Sequence, residues 1–238
     1  MTIIFLGTPD FVQPIKDELA KHFTLVNSLS ESDLAVVAAY GKILTKMELN
    51  TPKYGCINVH PSLLPKYRGP SPIQSAILNG DKISGISIIK IDEEVDHGTI
   101  IYQEQLELSD SDNFDILSKK MFARAAEILP QIIEDFIQDK IKPVAQNHKL
   151  ATYCKELKKE DGYFEIDNPP EDLDRKIRAY YPWPGVWCRW KMDNGQLKIV
   201  KFLPGNKIQM EGKKVMPLKN FLNGYPNFPL KKLSWKKH

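Results

Sequence analysis

Cysteine is scarce in this 238-residue chain, and its spacing excludes the usual structural uses of the residue. Cys56, Cys154 and Cys188 lie far apart and form no Cys-x-x-Cys pair. The sequence therefore predicts neither a disulfide framework nor a zinc site. The histidines and acids also lack the spacing of metal ligands, so no metal is expected. Reduced, scattered cysteines are typical of a cytoplasmic protein.

Long hydrophobic runs are missing as well. The chain opens on a short apolar segment, residues 2–7, without a basic leader before it. That segment is too short for a signal peptide or for a membrane span. The chain is therefore expected to act in the cytoplasm without a membrane partner. A monomer is also expected, although the sequence carries no signal for the oligomeric state.

Charge is unevenly distributed along the chain. The formal net charge is +3, but residues 207–238 hold eight lysines against the single acid Glu211. The rest of the chain has 25 basic and 29 acidic residues, a net charge of −4. A basic tail on a mildly acidic body suggests a polyanionic partner, although a solvated C-terminus explains the same composition.

The apolar pattern alternates between strand and helix signals over the first 140 residues. Residues 34–40 are a continuous apolar run closed by Gly41, as in a strand buried on both faces. Residues 112–138 carry apolar side chains at helical spacing, which predicts one long helix. Further strands are predicted at 2–7, 55–60, 85–91 and 102–108, and helices from an Asp10 N-cap and over 70–78. This alternation predicts a doubly wound, Rossmann-like α/β domain.

One connection is too short for that pattern. A strand near residues 23–27 leaves about six residues before the strand at 34, whereas a parallel crossover needs roughly a dozen or more. We therefore predict that residues 23–27 are not a helix-connected parallel neighbour of the 34–40 strand.

The pattern changes after Pro143. Residues 143–170 read as an extended linker, and short strand-like runs broken by Gly and Pro follow a short helix at 171–180. The predicted organisation is an α/β domain over 1–142, a linker over 143–170 and a small β-rich domain over 171–238.

A polar pair marks the end of the strand at 55–60. Asn58 and His60 are two residues apart, so both side chains point to the same face of a strand. Asp96 follows later, in a Val-Asp-His-Gly stretch, and can orient the imidazole. An amide for a developing oxyanion, an imidazole that titrates near neutral pH and a carboxylate to orient it suit acyl transfer to an amine.

These residues carry a resemblance to a known family. The Asn-x-His-Pro-Ser-Leu-Leu-Pro stretch at 58–65 with Asp96 resembles the folate-dependent formyltransferases. The openings 3–11 and 39–44, the stretches 151–155 and 177–184, and the segments 212–216 and 221–224 are similar to the members that act on methionyl-tRNA. The resemblance spans nearly the whole chain.

The resemblance implies a function and a set of site residues. The implied donor is 10-formyltetrahydrofolate, and the implied acceptor is the amino group of initiator methionyl-tRNA. Asn58, His60 and Asp96 are the implied catalytic residues. The implied folate-binding residues are Tyr40, Gly41, Ile43, Ser62, Leu63, Leu64 and Pro65. The small C-terminal domain is implied to be OB-like and truncated.

The chain also departs from the family. The long segment that typical members carry before the strand at 34–40 is almost gone, and the C-terminal domain is shortened. By family analogy both parts contact tRNA, and the lysines of the tail could compensate. His97 stands where a Thr is more usual, and we interpret it as structural. Arg68 is interpreted either as a contact for an acidic group or phosphate, or as part of a surface salt bridge.

Alternative functions remain open from the sequence. A formyltransferase for a nucleotide-linked amino sugar or another small amine fits the reduced tRNA-contacting parts. A formyltetrahydrofolate hydrolase, or an RNA-binding relic without activity, is a further reading. The intact Asn58, His60 and Asp96 argue against the relic.

Overall fold

The computed structural model describes residues 1–229. The chain forms two compact units. The first comprises Met1–Ala76, Asp81–Ser109 and Ile116–Glu156. The second comprises Ile77–Gly80, Asp110–Asp115 and the chain from Leu157 onward. The domain limits at 142 and 170 stay a prediction.

A six-stranded mixed sheet organises the first unit. Its strands are β1 Thr2–Leu6, β2 Thr24–Leu25, β3 Leu34–Val37, β4 Cys56–His60, β5 Ile83–Lys90 and β6 Ile100–Glu107. They lie in the order β2-β1-β3-β4-β5-β6. The first four pair in parallel, whereas β5 runs antiparallel to β4 and to β6. The predicted α/β, Rossmann-like fold is confirmed, with an antiparallel extension at one edge.

Four α-helices follow these strands: α1 Gln13–His22, α2 Lys46–Leu49, α3 Pro72–Asn79 and α4 Phe114–Ile137. The long helix α4 matches the prediction for 112–138, because its apolar side chains recur every three or four residues and are buried on one face. No helix within residues 1–229 has both the length and the apolar character needed to cross a membrane.

The short connection between β2 and β3 keeps these two strands from lying side by side. The strand β2 pairs only with β1 among the described strands, and β1 lies between β2 and β3. A single 3₁₀ turn, Leu29–Glu31, is the only helical element between β2 and β3. The prediction that residues 23–27 do not form a helix-connected neighbour of β3 is confirmed.

Two local predictions need correction. The strand β3 ends at Val37 rather than at residue 40, because Ala39 has a φ of 46°, which an extended strand does not allow. Asp10 is not an N-cap: a 3₁₀ turn begins at Asp10 itself, and α1 follows with Val12 as its N-cap and a proline in its first turn.

The second unit holds a separate antiparallel sheet. Its strands are β7 Val186–Lys191, β8 Leu197–Leu203, β9 Lys207–Met210 and β10 Met216–Pro217, in the order β10-β9-β8-β7. The helices α5 Leu173–Ala179 and α6 Leu218–Gly224 flank it in sequence. The core includes Phe221, whose ring lies 4.8 Å from that of Tyr225 and 5.1 Å from that of Phe228. The expected small β-rich unit is present.

Candidate active site

The strand β4 delivers two candidate catalytic side chains to one face of the sheet. Asn58 pairs in register with Val37 of β3 and with Ile89 of β5, and His60 pairs with Ser87 of β5. Because Asn58 and His60 are two residues apart on a strand, their side chains point the same way. The flanking strands fix both positions from either side.

Asp96 reaches the same place from the loop between β5 and β6. Its Oδ1 accepts a hydrogen bond from Asn58 Nδ2 at 3.1 Å, and its Oδ2 accepts one from the backbone N–H of Gly69 at 2.8 Å. The same Oδ1 lies 3.4 Å from His60 Nδ1. The structure therefore brings Asn58, His60 and Asp96 together, as the sequence predicts.

The imidazole of His60 is held in one orientation. The ring is 4% exposed, and its Nε2 lies 2.9 Å from the backbone oxygen of Tyr67. A carbonyl oxygen only accepts, so Nε2 carries the hydrogen of that bond. The nitrogen that faces Asp96 is therefore Nδ1, and a hydrogen bond between them requires a second proton. This geometry suits a ring that holds and releases a proton at Nδ1.

Two glycines in these loops allow close contacts between backbone segments. Gly69 has a φ of 110°, and a Cβ there would lie 2.6 Å from the Cys154 carbonyl oxygen. A Cβ on Gly98 would lie 1.8 Å from the carbonyl oxygen of Lys90. Neither position has room for a side chain, so both loops that carry the Asp96 contacts depend on glycine.

A cleft of about 120 Å³ opens beside these side chains. Asn58 and Asp96 are among its lining residues, together with apolar side chains from β3, β5 and the segments that follow them. The lining residues are Val37, Lys42, Ile43, Leu44, Asn58, Ile89, Ile91, Asp92, Glu93, Glu94, Val95 and Asp96. The cleft thus combines apolar side chains with the polar cluster and with several charged residues.

The predicted folate-binding residues fall in two places. Ile43 lines the cleft and is 80% exposed, with half-buried Tyr40 and exposed Gly41 just before it in the chain.

The other four, Ser62, Leu63, Leu64 and Pro65, belong to a turn that is tied to β5 and β6. Leu64 N donates to Ser87 Oγ at 3.0 Å, and Gln103 Nε2 donates to Leu64 O at 2.9 Å. These four residues are not among those lining the cleft. Their role in folate binding stays a prediction.

Arg68 and His97 occupy unexpected environments. Arg68 is 2% exposed, which contradicts the surface salt bridge as a reading of this residue. His97 Nδ1 lies 2.7 Å from Asp92 Oδ2, and its ring stacks on that of His148 with centroids 4.0 Å apart. The turn at Asp96, which has a φ of 50°, sets the direction of His97, since the segment is not extended there.

Two observations concern possible metal ligands and the thiol nearest the site. Within residues 1–229, no three histidine, cysteine or acidic side chains group as metal ligands. Cys154 lies near the site, with its Sγ 3.2 Å from the backbone nitrogen of Ser71. Burial raises the pKa of the Cys154 thiol, so a thiolate nucleophile is disfavoured.

Sequence reasoning missed several contributors. The Tyr67 backbone oxygen that holds His60 has no sequence signal, because any residue supplies a carbonyl. Gln146 donates to two carbonyls of the Asp96 loop from a segment without periodicity. The acidic lining at Asp92–Glu94 could have been noticed from its position just before Asp96.

The fold and the site define a class of enzyme, and comparison with known proteins specifies it. Residues 2–133 match the family model described as "Formyl transferase", and residues 156–207 match "Formyl transferase, C-terminal domain". The chain therefore belongs to the formyl transferase family.

The curated relatives within this family are named as methionyl-tRNA formyltransferases. A methionyl-tRNA formyltransferase from Thermodesulfovibrio yellowstonii is 37% identical over 217 residues, covering 81% of this chain and 70% of the relative. One from Kosmotoga olearia is 42% identical over 200 residues, covering 84% of this chain and 62% of the relative. Across eight such relatives, the chain spans between 51% and 78% of their length.

Solved structures share the fold. A methionyl-tRNA formyltransferase from Clostridium thermocellum superposes with a TM-score of 0.65 at 21% identity, covering 91% of this chain and 96% of that one. At this identity the match supports the architecture alone.

Proposed function

We propose that this protein transfers a formyl group from 10-formyltetrahydrofolate to the amino group of methionyl-tRNA. The observation that carries the proposal is the convergence of Asn58, His60 and Asp96 beside a cleft, in a chain of the formyl transferase family. Relatives named as methionyl-tRNA formyltransferases support the choice of acceptor.

The first step is attack of the acceptor amine on the formyl carbon, which places negative charge on the formyl oxygen. Asn58 Nδ2 has two hydrogens, and Asp96 Oδ1 accepts one of them. The second is available to the developing oxyanion. Losing one such donor typically costs about 100-fold or more in rate.

The amine must lose a proton, and the folate nitrogen must gain one when its bond to the formyl carbon breaks. Asp96 lines the cleft, and its Oδ1 lies 3.4 Å from His60 Nδ1. We assign the transfer of both protons to the Asp96–His60 pair. The hydrogen bond from His60 Nε2 to Tyr67 O keeps Nδ1 directed toward Asp96 throughout.

The cleft suits the formyl-bearing end of the donor. Its apolar side chains can cover a flat ring, and its lining presents Asn58 and Asp96 to the reacting carbon. Its volume of about 120 Å³ is well below the 300–1,000 Å³ of typical ligand pockets. The remainder of the folate therefore extends outside it.

The proposal is tested by formyl transfer from 10-formyltetrahydrofolate to charged initiator methionyl-tRNA, with nucleotide-linked amino sugars assayed in parallel. His60→Ala should abolish most of the rate, whereas His22→Ala, an exposed histidine on α1, should not. Transfer only to a sugar amine would show that methionyl-tRNA is not the acceptor and would refute that part of the proposal. Folate turnover without any acceptor would indicate a hydrolase, and tRNA binding without turnover would indicate a relic.

The lysine-rich tail is proposed as a contact for the tRNA. Lys231, Lys232, Lys236 and Lys237 lie outside the described residues, so this rests on charge alone. Changing these four to Gln should weaken tRNA binding and flatten its salt dependence, by roughly 0.7–0.9 in slope for each phosphate that is no longer neutralised. Four lysine-to-Gln changes at other exposed positions are the control, and unchanged binding would refute the contact. The monomeric state and cytoplasmic location also stay predictions.

A further inference from the structure

A single glutamine side chain holds the backbone on both sides of His97. Gln146 is 5% exposed and follows α4 in an irregular segment. Its Nε2 donates to the carbonyl oxygen of Asp96 at 2.9 Å and to that of Gly98 at 2.8 Å. One amide therefore uses both of its hydrogens on the turn that presents the Asp96 carboxylate.

The orientation of this amide is dictated by its other neighbour. Arg68 donates to Gln146 Oε1 from Nε at 3.2 Å and from Nη2 at 2.7 Å. A guanidinium only donates and a carbonyl only accepts, so the amide fits in one orientation alone. The side chain of Gln146 is thus fixed at both ends.

Arg68 is itself buried without a carboxylate in its immediate surroundings. No acidic side chain of residues 1–229 forms an ion pair with it. Its other side-chain hydrogen bonds join Nη2 to His148 Nδ1 at 2.8 Å and Nη1 to Tyr153 Oη at 3.4 Å. A buried cation must be stabilised by dipoles when it has no counter-ion. The Gln146 oxygen, which takes two of its hydrogen bonds, is the main one.

We propose that Gln146 is a positioning residue for formyl transfer: it fixes the backbone of Asp96 so that the carboxylate reaches both Asn58 and His60. The inference rests on the proposed function. Other bonds also anchor the loop, among them those from Asn58 Nδ2 and Gly69 N to the Asp96 carboxylate and the one from Lys90 N to the carbonyl of Thr99. None of these bonds reaches the Asp96 carbonyl, whose direction depends on the ψ angle of Asp96.

Two substitutions separate positioning from simple structural support. Gln146→Glu keeps an oxygen toward Arg68 and supplies the counter-ion that Arg68 lacks, so the new ion pair offsets part of the stability lost elsewhere and the protein should stay folded. The substitution removes both N–H donors and sets an anion against the two carbonyls. We expect kcat to fall about 10- to 100-fold through misplacement of Asp96, with both KM values within about twofold of wild type.

The second substitution, Gln146→Met, keeps the length of the side chain and loses every hydrogen bond. It should lower kcat to a similar extent and also lower the thermal midpoint. Gln13→Met, at an exposed glutamine whose side chain bonds only to Asp17 among the described residues, is the control and should match wild type in both kcat and thermal midpoint. Gln146→Glu that is stable and keeps wild-type kcat would overturn the inference.

Failure of the proposed function is distinguished by a measurement that needs no turnover. ¹⁵N spectra of the His60 ring report whether Asp96 still lies against Nδ1. Gln146→Met should shift the His60 ring signals, and Gln13→Met should not. If the wild type does not transfer formyl groups but these signals shift, the proposed function fails and the positioning role stands. Unshifted signals in folded Gln146→Met would overturn the positioning role in either case.

Discussion

Replacing Asp96 by asparagine tests the site most directly, because the change keeps the size of the side chain and alters only its hydrogen bonding. In the native site each carboxylate oxygen accepts a bond: Oδ1 from Asn58 Nδ2 at 3.1 Å, and Oδ2 from Gly69 N at 2.8 Å. An asparagine has one acceptor oxygen and an NH₂ group. Whichever way the new amide turns, its NH₂ group meets a donor.

The expected magnitudes differ for stability and for rate. Leaving a buried donor without an acceptor costs about 1–3 kcal/mol. The side chain of Asp96 is 11% exposed, so water can relieve part of this, and the lower half of that range is expected. The rate should suffer more, since His60 loses its charged partner. A fall in kcat of about 10³- to 10⁴-fold corresponds to roughly 4–5.5 kcal/mol of transition-state stabilisation.

The assay is single-turnover formyl transfer, with thermal unfolding measured on the same samples. Asp33→Asn is the matched control, because Asp33 Oδ2 also accepts a backbone N–H, that of Thr2, at 2.8 Å. Asp33 comes just before β3, so it lies near the amino ends of the parallel strands. His60 lies at the carboxyl end of β4, and Asn58 is two residues before it. The Asp33→Asn variant should lose some stability but keep its full activity. A rate for Asp96→Asn within about threefold of wild type would refute the assigned role of the carboxylate.

Three further predictions concern acid stability, thiol reactivity and the core. The hydrogen bond from Thr2 N lowers the pKa of Asp33, so its stabilising contribution is complete above the ordinary aspartate pKa of about 3.9 and is lost as the pH falls through the lowered value. The stabilities of wild type and Asp33→Asn should converge in strong acid, and a constant gap in acid titrations would contradict this. Burial raises the pKa of Cys56 to about 11 and that of Cys188 to about 12, so both should react slowly with a thiol reagent near neutral pH until the protein is unfolded. Rapid labelling of either in the native protein would show that it is exposed. Phe221 is fully buried, and Phe221→Ala should lower the free energy of unfolding by about 3–5 kcal/mol in urea titrations; a loss below about 1 kcal/mol would mean that the aromatic cluster does not stabilise the second unit.

Much of the α/β unit could be predicted, because periodicity reports directly on burial. The apolar spacing of 112–138 gave a helix within two residues of α4 at each end, and the run 55–60 corresponds to β4. The short chain length between β2 and β3 alone ruled out β2 as a helix-connected neighbour of β3. The end of β3 was missed because apolar residues continue past Val37, and no hydropathy pattern reveals the positive φ of Ala39.

The candidate site was likewise predictable only in part. Asn58 and His60 could be paired from their spacing, since alternation on a strand is a strict geometric rule. The contacts that orient them come from a backbone oxygen at Tyr67 and from Gln146, and neither carries a signal in residue type or spacing. Gln146 lies in a segment that the sequence presents as a linker, yet the hydrogen-bond partners of Arg68 and of the Asp96 loop meet there.

The buried Arg68 is held by the same segment, through Gln146. A cation placed close to Asp96 would compete with His60 for the carboxylate if the two could pair. Gln146 links the two through hydrogen bonds instead: its oxygen takes two hydrogen bonds from the guanidinium, and its nitrogen donates to the carbonyls of Asp96 and Gly98. The carboxylate oxygens are left to Gly69, Asn58 and His60. Arg68 thus supports the geometry of the site through a neutral amide, without neutralising the charge that the proposed proton transfer requires.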